Sequence, residues 1–332
     1  MNLPIIQKKF WFVGISTLFV VTSIAFYGIW GLNLGIDFTG GSLLELRFGA
    51  TRPSIEEVEK ALTAIDVKSL TVQPTDQNGL ILRFQNTDEA KHQEVVTKIK
   101  ALVDKDEKAT KTDAKPEVKV DGTNVKNVEL EIDAESQEAP LVQELRFESV
   151  GPSIGRQLRS NAITSLLIIA VLIVAYIAWT FRKVSRPVAS WKYGLAGIIA
   201  IGHDLIITVG AFAWLGHFYG VEVGVPFVAA LLTIFGYSIN DTIVVFDRVR
   251  ENLPKSHHNF EDTVNFSLNQ TMKRSLYTST TTLLTLLAIV VYGGDSVRYF
   301  ALALFIGIFF GTYSSIFLAS PLLVLFEKYK RK

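Results

Sequence analysis

The chain of 332 residues is 49% hydrophobic and only 20% charged, and its mean hydropathy of +0.30 lies above what a soluble globular protein carries. Its formal net charge is +1, with no basic stripe interleaved with aromatics, so the electrostatic footprint of a nucleic-acid binder is missing. It has no cysteine, which excludes disulfides, thiol catalysis and cysteine-ligated metal centres.

About 20 consecutive apolar residues, rising about 1.5 Å each, cross about 30 Å of hydrocarbon. Six stretches reach that length, at 10–33, 161–181, 193–215, 223–246, 276–292 and 299–326. The first follows Lys8 and Lys9; it is too long for a signal-peptide core and no convincing small-residue cleavage site follows, so it reads as an uncleaved anchor. Between the first two spans lies a long polar segment. Residues 43–48 alternate as a strand does, and Ser54 with Glu57 forms a capping box ahead of Ile55, Val58, Leu62 and Ile65 at helical spacing. Strands are predicted at 69–73 and 79–85 around a turn at 76–79, then a helix opened by Thr87 with Val95, Ile99 and Leu102 on its apolar face. The tract 104–124 is polar and lysine-rich and reads as a surface insertion, followed by strands at 125–132 and 141–150. The resulting β-α-β-β-α-β order fits a ferredoxin-like sandwich.

Short-loop Lys and Arg gather at Lys8 and Lys9, at Arg182, Lys183, Arg186 and Lys192, at Arg248, Arg250, Lys255, Lys273 and Arg274, and at Lys328, Lys330, Arg331 and Lys332, whereas the opposite short loops hold Arg298 alone. Both termini are therefore expected in the cytoplasm and the α+β domain outside. Three parts result: 1–34, a cytoplasmic tail and the first span; 35–159, the external domain; and 160–332, five further spans with their loops and tail.

An ionised Asp at the centre of a span costs about 2.5–3.5 kcal/mol, which makes an intramembrane carboxylate a functional candidate. Asp204 falls near the middle of the third span, and Asp241 about 9 Å from the middle of the fourth toward the cytoplasm. The alternative for each is a neutral carboxyl hydrogen-bonded to a neighbouring helix. Asp241 shares a helix face with Tyr237, Ser238, Val244 and Val245, and Gly236 beside it would permit close helix approach. Arg274, at the start of the fifth span, is its candidate cation, although it could equally be a positive-inside anchor. The run Thr278, Ser279, Thr280, Thr281, Thr282 can carry proton-bridging hydrogen bonds, or simply pack helices. Asp295 would stand at the outer mouth or in a solvated loop, and His203 beside Asp204 suggests a metal ligand or a relay, although no metal-binding spacing is present to favour the metal. No nucleophile, base and orienting group occur together, so an enzyme is not expected.

Several stretches carry a resemblance. FVAALLTIFGYSINDTIVVFDRVREN at 227–252, GIDFTGG at 35–41, VGPSIG at 150–155, GHDLIITVGAFA at 202–213 and FALALFIGIFFGTYSSIFLASPLL at 300–323 resemble the SecF family of bacterial protein-export membrane subunits, within the resistance-nodulation-division superfamily. The resemblance implies a bundle of six transmembrane helices with an inserted periplasmic α+β domain, in the bacterial inner membrane. It implies partnership with SecD, YajC, the SecYEG channel, exported unfolded polypeptide and membrane lipid, and export driven by the proton-motive force, with sodium as the other possible coupling ion and no cofactor. It places Asp241, Arg274 and Asp295, with Asp204 and Asn240 nearby, on the proton path. Gly35, Asp37, Gly40 and Gly41, with Gly151 and Gly155, become the hinge motif of the external domain. The lysine-rich tract at 104–124 departs from the family pattern. The architecture alone would also permit a half-transporter of a small molecule or lipid, or a passive assembly scaffold.

Overall fold

The structure is a computed structural model that describes residues 3–49, 52–63, 65, 67, 69–75, 78–85, 88–112, 142–180, 189–257 and 259–328. A 3-10 turn at Ile6–Lys8 leads into α1 (Lys9–Trp30), followed by α2 (Ile36–Thr39), β1 (Gly41–Phe48), α3 (Ile55–Thr63), β2 (Thr71–Thr75), β3 (Gly79–Phe84), α4 (Glu89–Thr112) and β4 (Val142–Val150). Then come α5 (Pro152–Thr180), α6 (Ser190–Tyr219), α7 (Val225–Asn252), α8 (Phe260–Tyr292), α9 (Asp295–Ser314), a π turn (Ser315–Ala319) and α10 (Ser320–Lys328). The chain forms two units, Ile36–Gln157 and Met1–Gly35 with Leu158–Lys332.

In the α+β unit the strand order is β2-β3-β1-β4 and every neighbouring pair is antiparallel. Period-two alternation sends Leu44, Leu46 and Phe48 of β1 and Leu80, Leu82 and Phe84 of β3 to one face, with Leu44 opposite Leu82 and Leu46 opposite Leu80. That face is covered by Val58 and Leu62 of α3 and by Val95, Val96, Ile99 and Val103 of α4. Burying each such side chain stabilises by about 1.5–3 kcal/mol, which is what ties the two amphipathic helices to the sheet. The capping box forms: Ser54 N donates to Glu57 Oε2 at 2.8 Å and Glu57 N to Ser54 Oγ at 3.3 Å. The second strand begins at Thr71 rather than at Ser69, because Ser69 takes a left-handed φ of 56° that no strand accepts. The strand expected at 125–132 and the last part of the 104–124 tract lie outside the described residues.

The second unit is a helical bundle in which six helices are long and apolar enough to cross a membrane: Ile6–Trp30, Pro152–Ile177, Trp191–Tyr219, Val225–Asn252, Phe260–Tyr292 and Val297–Glu327. The α1 and α5 helices turn Phe10, Trp11, Leu18, Ile163, Leu167, Val171 and Leu172 outward. The interior is built by α6, α7 and α9, which bury small residues such as Ala196, Ala200, Ala230, Ala301 and Ala303. Without a hydrophobic drive between helices in lipid, close backbone approach supplies the packing. It is closest at Gly210 of α6, where a Cβ would lie 2.5 Å from Ser23 Cα of α1, and at Gly307 of α9 a Cβ would lie 2.2 Å from the Ile234 side chain of α7. The fifth span is longer than its hydropathy suggested, reaching back to Phe260 through Asn265, Asn269, Lys273 and Arg274. Polar residues dilute hydropathy without stopping a helix, and the true start is marked by Asn259, whose side chain accepts from Asp262 N at 2.8 Å.

Candidate functional site

Two carboxylates lie inside the bundle, and their surroundings differ. Asp204 of α6 is fully buried. Its Oδ1 stands 2.9 Å from His203 Nδ1, and its Oδ2 accepts from Ser238 Oγ of α7 at 2.6 Å and from Ser314 Oγ of α9 at 2.8 Å. The His203 ring, itself buried, lies nearly parallel to Tyr313 of α9, with centroids 6.1 Å apart. A polar contact between membrane helices is worth about 0.6–2 kcal/mol. Two such contacts, from Ser238 and Ser314, and the His203 contact within α6 work against the cost of about 2.5–3.5 kcal/mol of placing the carboxylate there. Asp204 is thus a joint between α6, α7 and α9, with both oxygens occupied.

Asp241 of α7 is buried to within 8% of full exclusion. Its Oδ1 accepts from Ser275 Oγ of α8 at 2.5 Å. Its Oδ2 is buried and has no hydrogen-bond partner among the described residues. One contact does not offset the cost of the charge. A proton placed on Oδ2 would neutralise the group without displacing the Ser275 bond, whereas both oxygens of Asp204 already have partners.

The π turn explains how α9 serves both neighbours. A π turn is wider than an α-helical one and recurs at functional positions. Here it begins directly after Ser314, so that Ser314 reaches Asp204 while Ser315 Oγ meets Thr242 Oγ1 of α7 at 2.8 Å. Thr312 Oγ1 donates to Ser279 Oγ of α8 at 2.6 Å, one turn from Ser275. These hydroxyls, all buried, extend the seam from Asp204 to Asp241 across α7, α8 and α9.

Other expected positions take distinct places. Arg274 is exposed, and it is the neighbouring Ser275 that reaches Asp241. Of the hydroxyl run, Ser279 is buried in the seam, while Thr278, Thr281 and Thr282 donate back to carbonyls of their own helix and Thr278, Thr280 and Thr281 are exposed. Asn240 is exposed on α7. Asp295 opens α9 by its backbone, and its side chain lies outside the described part. Among the described residues of this chain Gly236 mediates no close approach, since a Cβ there would meet nothing within 4 Å, and the approach to α7 is made by Gly307 and Gly311 of α9. Sequence reasoning missed Ser275, Thr312, Ser314 and Ser315; the signal was their hydroxyls in otherwise apolar helices.

The glycine motif is held tightly within its own unit. Gly40 has a φ of +75°, and a Cβ on it would lie 2.9 Å from Pro152 Cα, while a Cβ on Gly155 would lie 3.0 Å from Gly40 N. Asp37 sits in the single turn α2, and Gly151 O accepts from Gly155 N at 3.0 Å. In the helical unit, Gly35 N donates to Val223 O at 2.9 Å.

Comparison with known proteins follows the same outline. Residues 132–329 match the family described as protein export membrane protein SecD/SecF, C-terminal, and residues 31–51 match the SecD/SecF GG motif. A protein translocase subunit SecF of Thermobaculum terrenum is 37% identical over 326 residues, covering 98% of this chain and 94% of the relative. A protein translocase subunit SecDF of Thermus thermophilus is 38% identical over 302 residues, covering 91% of this chain and 35% of the relative. The crystal structure of SecDF from that organism, a translocon-associated membrane protein, superposes with a TM-score of 0.74 at 31% identity, covering 100% of this chain and 39% of that one. The chain therefore spans about two fifths of the fused relative.

Proposed function

Because this chain belongs to the SecD/SecF family of protein-export membrane proteins, we propose that it is the SecF-type subunit of the Sec export apparatus and that Asp241 couples the proton-motive force to export across the bacterial inner membrane. The observation that carries the coupling is the buried Asp241 carboxylate with one oxygen bonded to Ser275 and the other unpartnered. Proton flow across about 100 mV supplies about 2.3 kcal/mol per charge, a bias of about fiftyfold on a two-state element. With Asp241 protonated, Ser275 holds it and Arg274 stands apart, which fits the arrangement described here. When the proton leaves toward the cytoplasm, the bare carboxylate draws Arg274 in and the α7–α8 seam repacks. Asp295 at the outer end of α9 admits the next proton, and sodium could take the same place on a carboxylate.

The coupled element is the inserted domain, whose strand order supports a ferredoxin-like sandwich; the Lys and Arg of the short loops support its periplasmic placement with both chain termini cytoplasmic. Since the glycine turn is interlocked with the start of α5, the hinges lie at its flanks, toward Gly35 and beyond Gly155. SecD is the membrane partner, and the α7 face of Ala229, Thr233, Gly236 and Asn240, small or polar and uncovered in this chain, suits a partner helix. YajC and the SecYEG channel complete the assembly that passes unfolded polypeptide.

The test is export of a reporter protein into inverted membrane vesicles that carry the SecD-associated chain. Asp241→Asn should abolish the gradient-dependent part of export while association with SecD persists. Full gradient-dependent export in that variant would refute the coupling and leave a scaffold.

A further inference from the structure

We infer that residues 3–9 form a wedge that sets the separation of α7 and α8 beneath the Asp241–Ser275 bond, with the Lys9–Glu261 ion pair as its lock. The functional consequence rests on the reading of Asp241 given above, but the wedge itself does not.

Three residues of α8 spaced four apart receive this segment. Asn269 Oδ1 accepts from Leu3 N at 2.8 Å, and its Nδ2 donates to Leu3 O at 3.1 Å, so that one side-chain amide serves both main-chain groups of Leu3. Asn265 Oδ1 accepts from Ile6 N at 3.2 Å. Glu261 pairs with Lys9 Nζ. Positions 261, 265 and 269 make one stripe along the helix, so the segment is bonded to α8 over two successive turns. An anchoring lysine needs only to be exposed, and Lys8 is; Lys9 is 4% exposed and committed to its carboxylate.

Between these bonds Ile5 and Ile6 are 3% and 0% exposed. They belong to one apolar cluster with Val245 and Val249 of α7, Val264 and Leu268 of α8, Ile316 of the π turn and Val324 of α10. Val245 lies one turn past Asp241, and Leu268 two turns before Ser275, on the buried faces of their helices. The isoleucines therefore fill the space between α7 and α8 immediately below the bond that joins Asp241 to Ser275. Helices pack as rigid bodies, so a change of spacing at Leu268 is carried about 10 Å along α8 to Ser275. A hydrogen bond of 2.5 Å cannot survive a displacement of that helix by an ångström or two. Residues 3–9 are thus a positioning element for Asp241, remote in sequence from both helices that they hold.

The chain has no cysteine, so paired labels can be introduced without altering native thiols. Spin labels at Arg248→Cys and Lys273→Cys, both exposed, report the α7–α8 separation in the full chain in lipid. Glu261→Lys, which opposes Lys9 with a like charge, and separately Asn265→Ala with Asn269→Ala should widen that distribution by about 1–2 Å, the size of ordinary helix shifts. Adding Lys9→Glu to Glu261→Lys should restore it. If either loosening leaves the distribution unchanged, or the exchanged pair does not restore it, the wedge is overturned. Gradient-dependent export measured on the same variants separates the two readings: widening without loss of gradient dependence would count against Asp241 as the coupling group and leave the wedge standing.

Discussion

Asp204 and Asp241 are the same side chain on adjacent helices of one bundle, both withdrawn from solvent, yet they are held by opposite means. Three donors from three helices occupy both oxygens of Asp204. A single serine occupies one oxygen of Asp241. A carboxylate bonded through both oxygens ties together the helices that supply its donors. A carboxylate left half-satisfied contributes little to stability but can change state at small cost. The two sites share α7 through Ser238 and Asp241, which stand three residues apart, so one helix carries both the fixed point and the variable one.

The sharpest way to break this comparison is to remove each carboxyl in turn. Asp204→Ala leaves Ser238, Ser314 and His203 without their common acceptor and should cost about 2–4 kcal/mol, as buried donors lose their partner. Asp241→Ala strands only Ser275 and should cost about 1 kcal/mol. Denaturant or thermal unfolding of the purified chain in detergent measures both; equal losses would remove the distinction. Next in size is the packing that brings α9 to α7. Gly307→Ala drives a Cβ into Ile234 and should destabilise by about 1–3 kcal/mol, whereas Gly236→Ala, pointing into open space, should change stability by under about 0.5 kcal/mol. Gly236→Leu should leave the isolated chain intact and weaken its co-purification with SecD if that α7 face is the partner's.

The smallest effect lies outside the bundle and contrasts with both carboxylates. Glu57 is exposed and held below its ordinary value of 4.5 by the hydroxyl and then the backbone N–H of Ser54. Its ionised form is favoured more in the folded chain than in the unfolded one. The stability it confers is therefore present above about pH 4.5 and is lost as pH falls through the lowered value. Ser54→Ala should flatten that acid limb, seen as a smaller difference in unfolding midpoint between neutral and acid pH, without touching export at neutral pH.

The parts that were legible in the sequence are those governed by one-dimensional rules. Six spans followed from apolar length, the order of the described strands and helices in the inserted unit from periodicity, and the Ser54–Glu57 cap from spacing alone. Asp204 and Asp241 stood out because a carboxyl in a span is costly. What distinguishes them did not, because it depends on which helices approach and at what rotation. Gly236 reads as a packing glycine until the faces are known; the approach was made by Gly307 and Gly311 from the other helix. Arg274 precedes Ser275 by one residue, and about 100° of helical rotation decides that the serine, not the guanidinium, meets Asp241. The π turn that lets Ser314 and Ser315 serve different helices has no signature in single-sequence hydropathy. The start of α8 was readable from Asn259 and the acidic residues that follow it, and was obscured by the polar residues that receive the segment at 3–9.

The most direct test of the distinction is an infrared difference spectrum of the chain in lipid between acid and alkaline pH, read at the carboxylic-acid C=O stretch, for the unaltered protein, Asp241→Asn and Asp204→Asn. The account predicts a band that disappears in Asp241→Asn and persists in Asp204→Asn. A band that persists in Asp241→Asn and disappears in Asp204→Asn would contradict it, making the fully bonded carboxylate the one that changes state.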